Sequence, residues 1–337
     1  MKTATLALGG RTIGEGQACL VVAHVGTAHE GDADTALRLI EAAFQAGADA
    51  IAFPVFRATD LLARRHPERK ELEAAELSAR EWRTVLDAAK ASGLVVVVEA
   101  FDVASRDLAA EAAVDAFQAH PTDLDHPDLL RGLASCGRPL LVGACSGEEP
   151  LVHDALDAAG GRVALLVGPP GAPAAAEELR LVEIGVLRER YGVPVGVLDP
   201  TDGGSAFALL VPALAAAYGA AFVEKRITLD RSRKGRDWAA ALSPEDFYRM
   251  VEMLRQAERA RGDGEPRAAR PGARGRSIVA ASLIGRGDVL TAEMLRFKRT
   301  DERFERGLAP AEVHRVIGRR AARPIQADET IREDMLE

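Results

Sequence analysis

The sequence predicts an α/β protein: a (β/α)8 barrel followed by a small C-terminal domain. Three observations predict it. Between residues 18 and 260, short apolar runs alternate with longer amphipathic stretches, giving eight βα units. The apolar runs are continuous, as in parallel strands covered on both faces. No G-x-G-x-x-G follows the first run, which argues against the rival doubly wound open sheet.

The elements follow in order. A strand spans 18–23, and a helix over 33–46 is closed by Gly47. A strand lies at 50–53. Ser78 is the expected N-cap of a helix over 79–92. A strand at 94–100, a helix at 105–113, a strand at 116–119 and a helix at 126–136 come next. The pattern continues with strand 139–143, helix 148–159, strand 163–167 and helix 174–191. Strand 194–198, helix 207–218, strand 222–225 and helix 243–259 complete it. Residues 261–276 are polar and rich in Gly and Pro, the composition of a linker. From 277 to 337 short strands and turns dominate. A core of that size is marginal alone, so this unit is expected to lean on the barrel or on a partner subunit.

Composition narrows the function. Hydrophobic residues make up 47% and charged residues 28%, which is ordinary for a globular protein. A net charge of −8 argues against nucleic acid, whose binders are usually basic. The apolar runs are strand-length, so no membrane span is expected. Cys19, Cys136 and Cys145 form no CxxC pair, and no signal-peptide pattern precedes them. A reducing, cytoplasmic setting is the expectation.

Local strings carry a family resemblance. They include Ala23-His24-Val25-Gly26-Thr27-Ala28-His29-Glu30-Gly31-Asp32, Ala48-Asp49-Ala50-Ile51-Ala52-Phe53-Pro54 and Phe101-Asp102. Asp123-Leu124, Glu224-Lys225 and Thr228-Leu229-Asp230 continue the series. Near the C-terminus stand Arg276-Ser277-Ile278-Val279-Ala280, Phe297-Lys298-Arg299, Gly307-Leu308 and Val316-Ile317-Gly318. Their order and spacing resemble the sialic acid synthase family over nearly the whole chain. That resemblance implies a barrel of residues 1–260, a linker over 261–276 and an antifreeze-protein-like SAF domain over 277–337. It also implies a transferase of carbohydrate biosynthesis that condenses phosphoenolpyruvate with an aminosugar aldehyde. It further implies a homodimer with SAF-domain exchange, in which Arg299 reaches the partner's active site.

The family's ligands are where this chain departs. By alignment, its metal-binding histidines become Pro200 and Arg226. Proline has no ligating side chain, and a guanidinium repels a cation. The family's two lysines become Ala52 and Gln118, its glutamine becomes Pro54, and a further histidine becomes Trp238. Phosphate-binding positions become Pro121, Gly143, Pro169 and Leu198. By the same resemblance, His29, Glu224 and Lys225 are the candidate catalytic residues. Asp102, Gln118, Asp123, Arg226 and Arg299 are the candidate substrate-binding residues. Glu224 with Lys225 reads either as an ion pair in the barrel mouth or as a ligand-binding pair.

Another set is suggested by position. His24, Glu99, His120, Asp199 and Glu224 all fall near C-terminal strand ends, where barrel sites are built. His24, Glu99 and His120 could form a relocated metal site. Alternatively, these are mutually hydrogen-bonded groups filling a retired pocket. The cofactor is therefore open: a divalent metal, but not through the family's ligands. The expected partner is a small sugar or keto acid. Cys145-Ser146-Gly147 could place a thiol or hydroxyl in the mouth, or form a tight turn. Gly203-Gly204 could approach a phosphate or serve a turn.

Overall fold

The computed structural model describes residues 4–144, 149–169, 171–262, 276–300 and 307–337. The chain divides into two compact units, Met1–Asp263 and Gly264–Glu337. The expected linker falls mainly outside the described residues, as does Cys145-Ser146-Gly147.

The first unit opens with an antiparallel hairpin, β1 (Thr5–Leu8) and β2 (Arg11–Gly14). A closed barrel of eight parallel strands follows. Its strands are β3 (Leu20–His24), β4 (Ala50–Val55), β5 (Val95–Ala100) and β6 (Ala116–Ala119), then β7 (Leu140–Ala144), β8 (Val163–Val167), β9 (Val195–Asp199) and β10 (Phe222–Arg226). Helix α1 (Ala33–Gln45) follows β3. Two short helices, α2 (Ala58–Leu61) and α3 (Arg69–Ala74), lie between β4 and α4 (Ala79–Ala91). The remaining connections carry α5 (Val103–Glu111), α6 (Pro127–Ser135), α7 (Glu149–Ala159), α8 (Glu183–Tyr191) and α9 (Phe207–Ala217), and α10 (Pro244–Arg261) follows β10.

Side chains on a strand alternate between its faces, and that period sorts the barrel. Val21, Ala23, Ile51, Phe53, Val96, Val98, Val197 and Val223 face the helices and share one core with them. Leu20, Val22, Ala50, Ala52, Val95, Val97, Ala116, Leu166 and Phe222 fill the interior. Leu6, Leu8 and Ile13 of the hairpin join that interior cluster and close it from the amino-terminal side. The next inward positions are therefore His24, Pro54, Glu99, Gln118, Leu198 and Glu224, with Pro200 and Arg226 above them. Function is left to the C-terminal mouth.

Helix starts obey local chemistry. Ser78 caps α4 in a capping box with Glu81. His126 and Ser243 cap α6 and α10. The helix expected over 174–191 begins only at Glu183. Its first part folds as a single 3-10 turn, Ala176–Glu178, and Arg180 adopts a φ of 44° that no α-helix tolerates.

The second unit holds an antiparallel pair, β11 (Arg276–Ala280) and β12 (Leu295–Arg299). Its core gathers Ile278, Ile284, Leu290, Leu295, Val316, Ile325, Ile331 and Met335.

Candidate functional site in the barrel mouth

A cavity of about 260 Å³ opens at the carboxyl ends of the strands. Its floor is polar: His24, Glu99, Gln118 and Glu224. Its wall is apolar: Phe56, Leu61, Leu62, Leu72 and Phe101, most of them from the β4–α4 insertion. Pro54, Pro121, Leu198 and Pro200 continue that apolar lining.

His24 organises the floor. Its Nδ1 accepts the Gly26 N–H at 3.1 Å, which leaves the ring proton of the neutral tautomer on Nε2. Nε2 lies 3.5 Å from Glu99 Oε2 and 3.8 Å from Glu224 Oε1. Only Ala52 and Pro54 of β4 stand between β3 and β5, and neither offers a polar group. The Gln118 amide donates toward Glu99 Oε1 at 3.5 Å.

The charges are pushed apart. Burial works against the His24 imidazolium, but Glu224 and Glu99 outweigh it and raise its affinity for a proton. Burial also works against the Glu99 carboxylate, yet His24 and His120 hold it below the usual carboxylate range. Glu224 moves the opposite way: burial, with Glu99 nearby, raises it against the pull of His24, Gln118 and Arg226. One carboxyl is thus held ionised and its neighbour is drawn toward the neutral form.

Arg226 sits above the floor, beside the His24 position in the β10–β3 ladder. Its guanidinium is paired with Asp237 at 2.5 Å. Asp237 also accepts from the Thr27 N–H and hydroxyl. Burial opposes ionisation of Asp237, but Arg226 and Thr27 hold its carboxyl low. At the rim, Arg236 pairs with Glu68 at 2.7 Å.

The residues expected from sequence divide cleanly. His24, Glu99, Gln118, His120, Glu224, Arg226 and Pro200 line the cavity. Lys225 does not, because adjacent strand residues face opposite ways. It points into the helix layer and pairs with Asp199 at 3.1 Å, both side chains fully buried. The Lys225 ammonium also donates to the Thr201 carbonyl at 3.0 Å. An ion pair between Glu224 and Lys225 is therefore not formed; the partner is Asp199. Asp199 likewise leaves the mouth set.

His29 is buried behind the mouth, edge-on to Trp82 at 5.5 Å. Burial lowers its pKa to about 4. Asp102 caps α5, accepting from the Ser105 N–H at 2.8 Å and from the Arg57 N–H at 2.9 Å. Asp123 lies in the 3-10 turn after β6, its carboxyl raised by burial, and does not line the cavity. Arg299 is exposed on β12 of the second unit. His120 lines the cavity but turns its Nδ1 to Thr122, with its ring tilted on Phe101. Gly203 packs on the Ala241 carbonyl, where an added Cβ would lie 2.1 Å away.

Among the described residues, no group of three or more His, Cys, Asp or Glu side chains is arranged to hold a metal ion. No described helix is long and apolar enough to cross a membrane. The sequence reading missed Asp237 and the Phe56–Leu72 wall. The signal for Asp237 was Arg226 itself: an inward-facing guanidinium needs a carboxylate, and Asp237 lies on the connection that follows its strand.

Comparisons with known proteins agree with this architecture. Residues 39–266 match the model of the NeuB family, and residues 275–337 match that of the SAF domain. An uncharacterised protein of Methanocaldococcus jannaschii is 29% identical, with 98% of each chain covered. The N,N'-diacetyllegionaminic acid synthase of Legionella pneumophila is 28% identical, with 94% of each chain covered. A crystal structure of the N-acetylneuraminic acid synthetase of Leptospira borgpetersenii shares the fold, with a TM-score of 0.74 at 23% identity. That likeness covers 80% of this chain and 93% of the Leptospira chain. The barrel, its C-terminal SAF domain and these matches together place the chain in the NeuB family of sialic acid synthase-like proteins.

Proposed function

We propose that this chain is a divergent member of its family. It serves carbohydrate biosynthesis by binding a small ligand in the barrel mouth, without condensing phosphoenolpyruvate with a sugar aldehyde. One observation carries the reading: Pro200 and Arg226 occupy the inward positions where the family resemblance expects metal-binding histidines, and Arg226 is spent on Asp237. Such a donor set does not fit a divalent cation. The floor below presents Glu99, held ionised, beside Glu224, and the one imidazole there, His24, faces both, so no unmatched cation is left to receive an acid phosphate. The cations nearby are already matched, Arg226 by Asp237 and Arg236 by Glu68. Lys225, the lysine that the resemblance offered, is in the other layer.

The test is phosphate release from phosphoenolpyruvate with manganese and N-acetylmannosamine. No release above the protein-free blank is expected. Release that disappears in a Glu224→Ala variant would overturn the reading.

The homodimer is carried by the family resemblance, and in it Arg299 serves the partner's mouth. Light scattering tests this, and a monomer would remove that role from Arg299.

A further inference from the structure

Resting on the reading that the mouth does not hold an enol phosphate, we propose that it binds a small monocationic amine. The ammonium group sits on Glu224 and Gln118, and the hydrocarbon part lies against Phe56, Leu62 and Phe101.

Hydrogen-bond accounting gives the first support. Gln118 and Glu224 are each only 1% exposed, and both line the cavity. Gln118 Oε1 and Glu224 Oε2 are buried without a hydrogen-bond partner among the described residues. Buried acceptors are normally matched with donors. With Glu224 ionised, the floor is short of them: the Glu99 and Glu224 carboxylates and the Gln118 carbonyl face only His24 Nε2–H and the Gln118 amide. The natural occupant supplies donors. An ammonium brings only donors, whereas a phosphate or carboxylate brings acceptors.

Charge gives the second. The Arg226 and Arg236 charges are matched by Asp237 and Glu68. That leaves Glu99 and Glu224 facing the single imidazole of His24. With both carboxylates ionised, the floor carries an excess negative charge even when His24 is protonated. A monocation neutralises it. A neutral polyol answers the hydrogen bonds but not the charge. The wall of Phe56, Leu62 and Phe101 suits carbon, and aromatic faces also attract a cation.

Binding is coupled to protons. Glu224 faces His24, Glu99, Gln118 and Arg226, and burial with Glu99 draws it toward the neutral form. The amine needs it ionised, so binding releases a proton. Affinity then falls as pH drops below the Glu224 pKa, by about tenfold per pH unit. Protonation of His24 adds repulsion in the same direction.

The experiment is calorimetry on the full chain across pH, with matched probes. Ethanolamine is set against ethylene glycol, and glucosamine against glucose, with phosphoenolpyruvate alongside. At least one amine is expected to bind about tenfold or more tighter than its neutral twin. Its observed heat should vary with buffer ionisation enthalpy, reporting proton release. Glu224→Gln, its fold checked by circular dichroism, should lose the preference. Equal binding of amine and twin, no amine binding, or a preference that survives Glu224→Gln overturns the proposal. Amine failure with phosphoenolpyruvate silent overturns this inference alone. Tight phosphoenolpyruvate binding overturns the functional reading beneath it as well.

Discussion

Burial decides how His29 titrates. It is buried, its Nδ1 accepts the Gly31 N–H, and its ring packs on Trp82. Burial lowers its pKa from 6.5 to about 4. The unfolded chain therefore takes up a proton near pH 6.5, while the native state resists until about pH 4. Stability contributed by the neutral ring is full above that window and is lost as pH falls through it. The loss attributable to His29 should be about 3 kcal/mol, judging by the size of the shift. Urea denaturation at pH 7 and pH 4 checks this against a His29→Leu variant. The variant should lose less stability over that interval, and an equal loss would remove the role given to His29.

At the scale of elements, the alternation of strand faces decided which candidates reach the mouth. The sequence showed where each strand lay, and six of the eight predicted barrel strands match the structure within one residue at each end. The exceptions are the first, which begins two residues later, and the second, which runs on to Val55. It did not show which of two adjacent residues faced inward, because both barrel faces are buried and read alike. That is why Glu224 and Lys225 were taken together, although they belong to different layers. The β4–α4 insertion was also missed: α2 and α3 are short, and their residues carry too little periodicity to announce a helix. Yet that insertion supplies much of the apolar wall. The Lys225–Asp199 pair joins β10 to β9 where no water reaches it. Lys225→Met strands a buried carboxylate and should destabilise the barrel by about 3–5 kcal/mol. Adding Asp199→Asn should recover most of that loss, since the amide still accepts from the Thr201 hydroxyl. Denaturant midpoints of the single and double variants check it. A midpoint unchanged in Lys225→Met would contradict the structural assignment.

For the whole molecule, the family was legible from ordered strings, and the fold followed from the βα count. The site was legible only in part. His24, Glu99 and Glu224 were named from strand ends, Gln118 and Arg226 from the family resemblance, and all five meet in one cavity. Asp237 was not, because its importance comes from pairing with Arg226 across a loop. The consequence of that pair extends to the whole mouth: the guanidinium above the floor is matched within the chain.

The measurement closest to that claim is calorimetry of manganese and phosphoenolpyruvate, titrated singly and together into one sample of the purified chain. The account predicts no saturable heat for either at millimolar concentration. Stoichiometric manganese that promotes phosphoenolpyruvate binding, with both lost in Glu99→Gln, would contradict it.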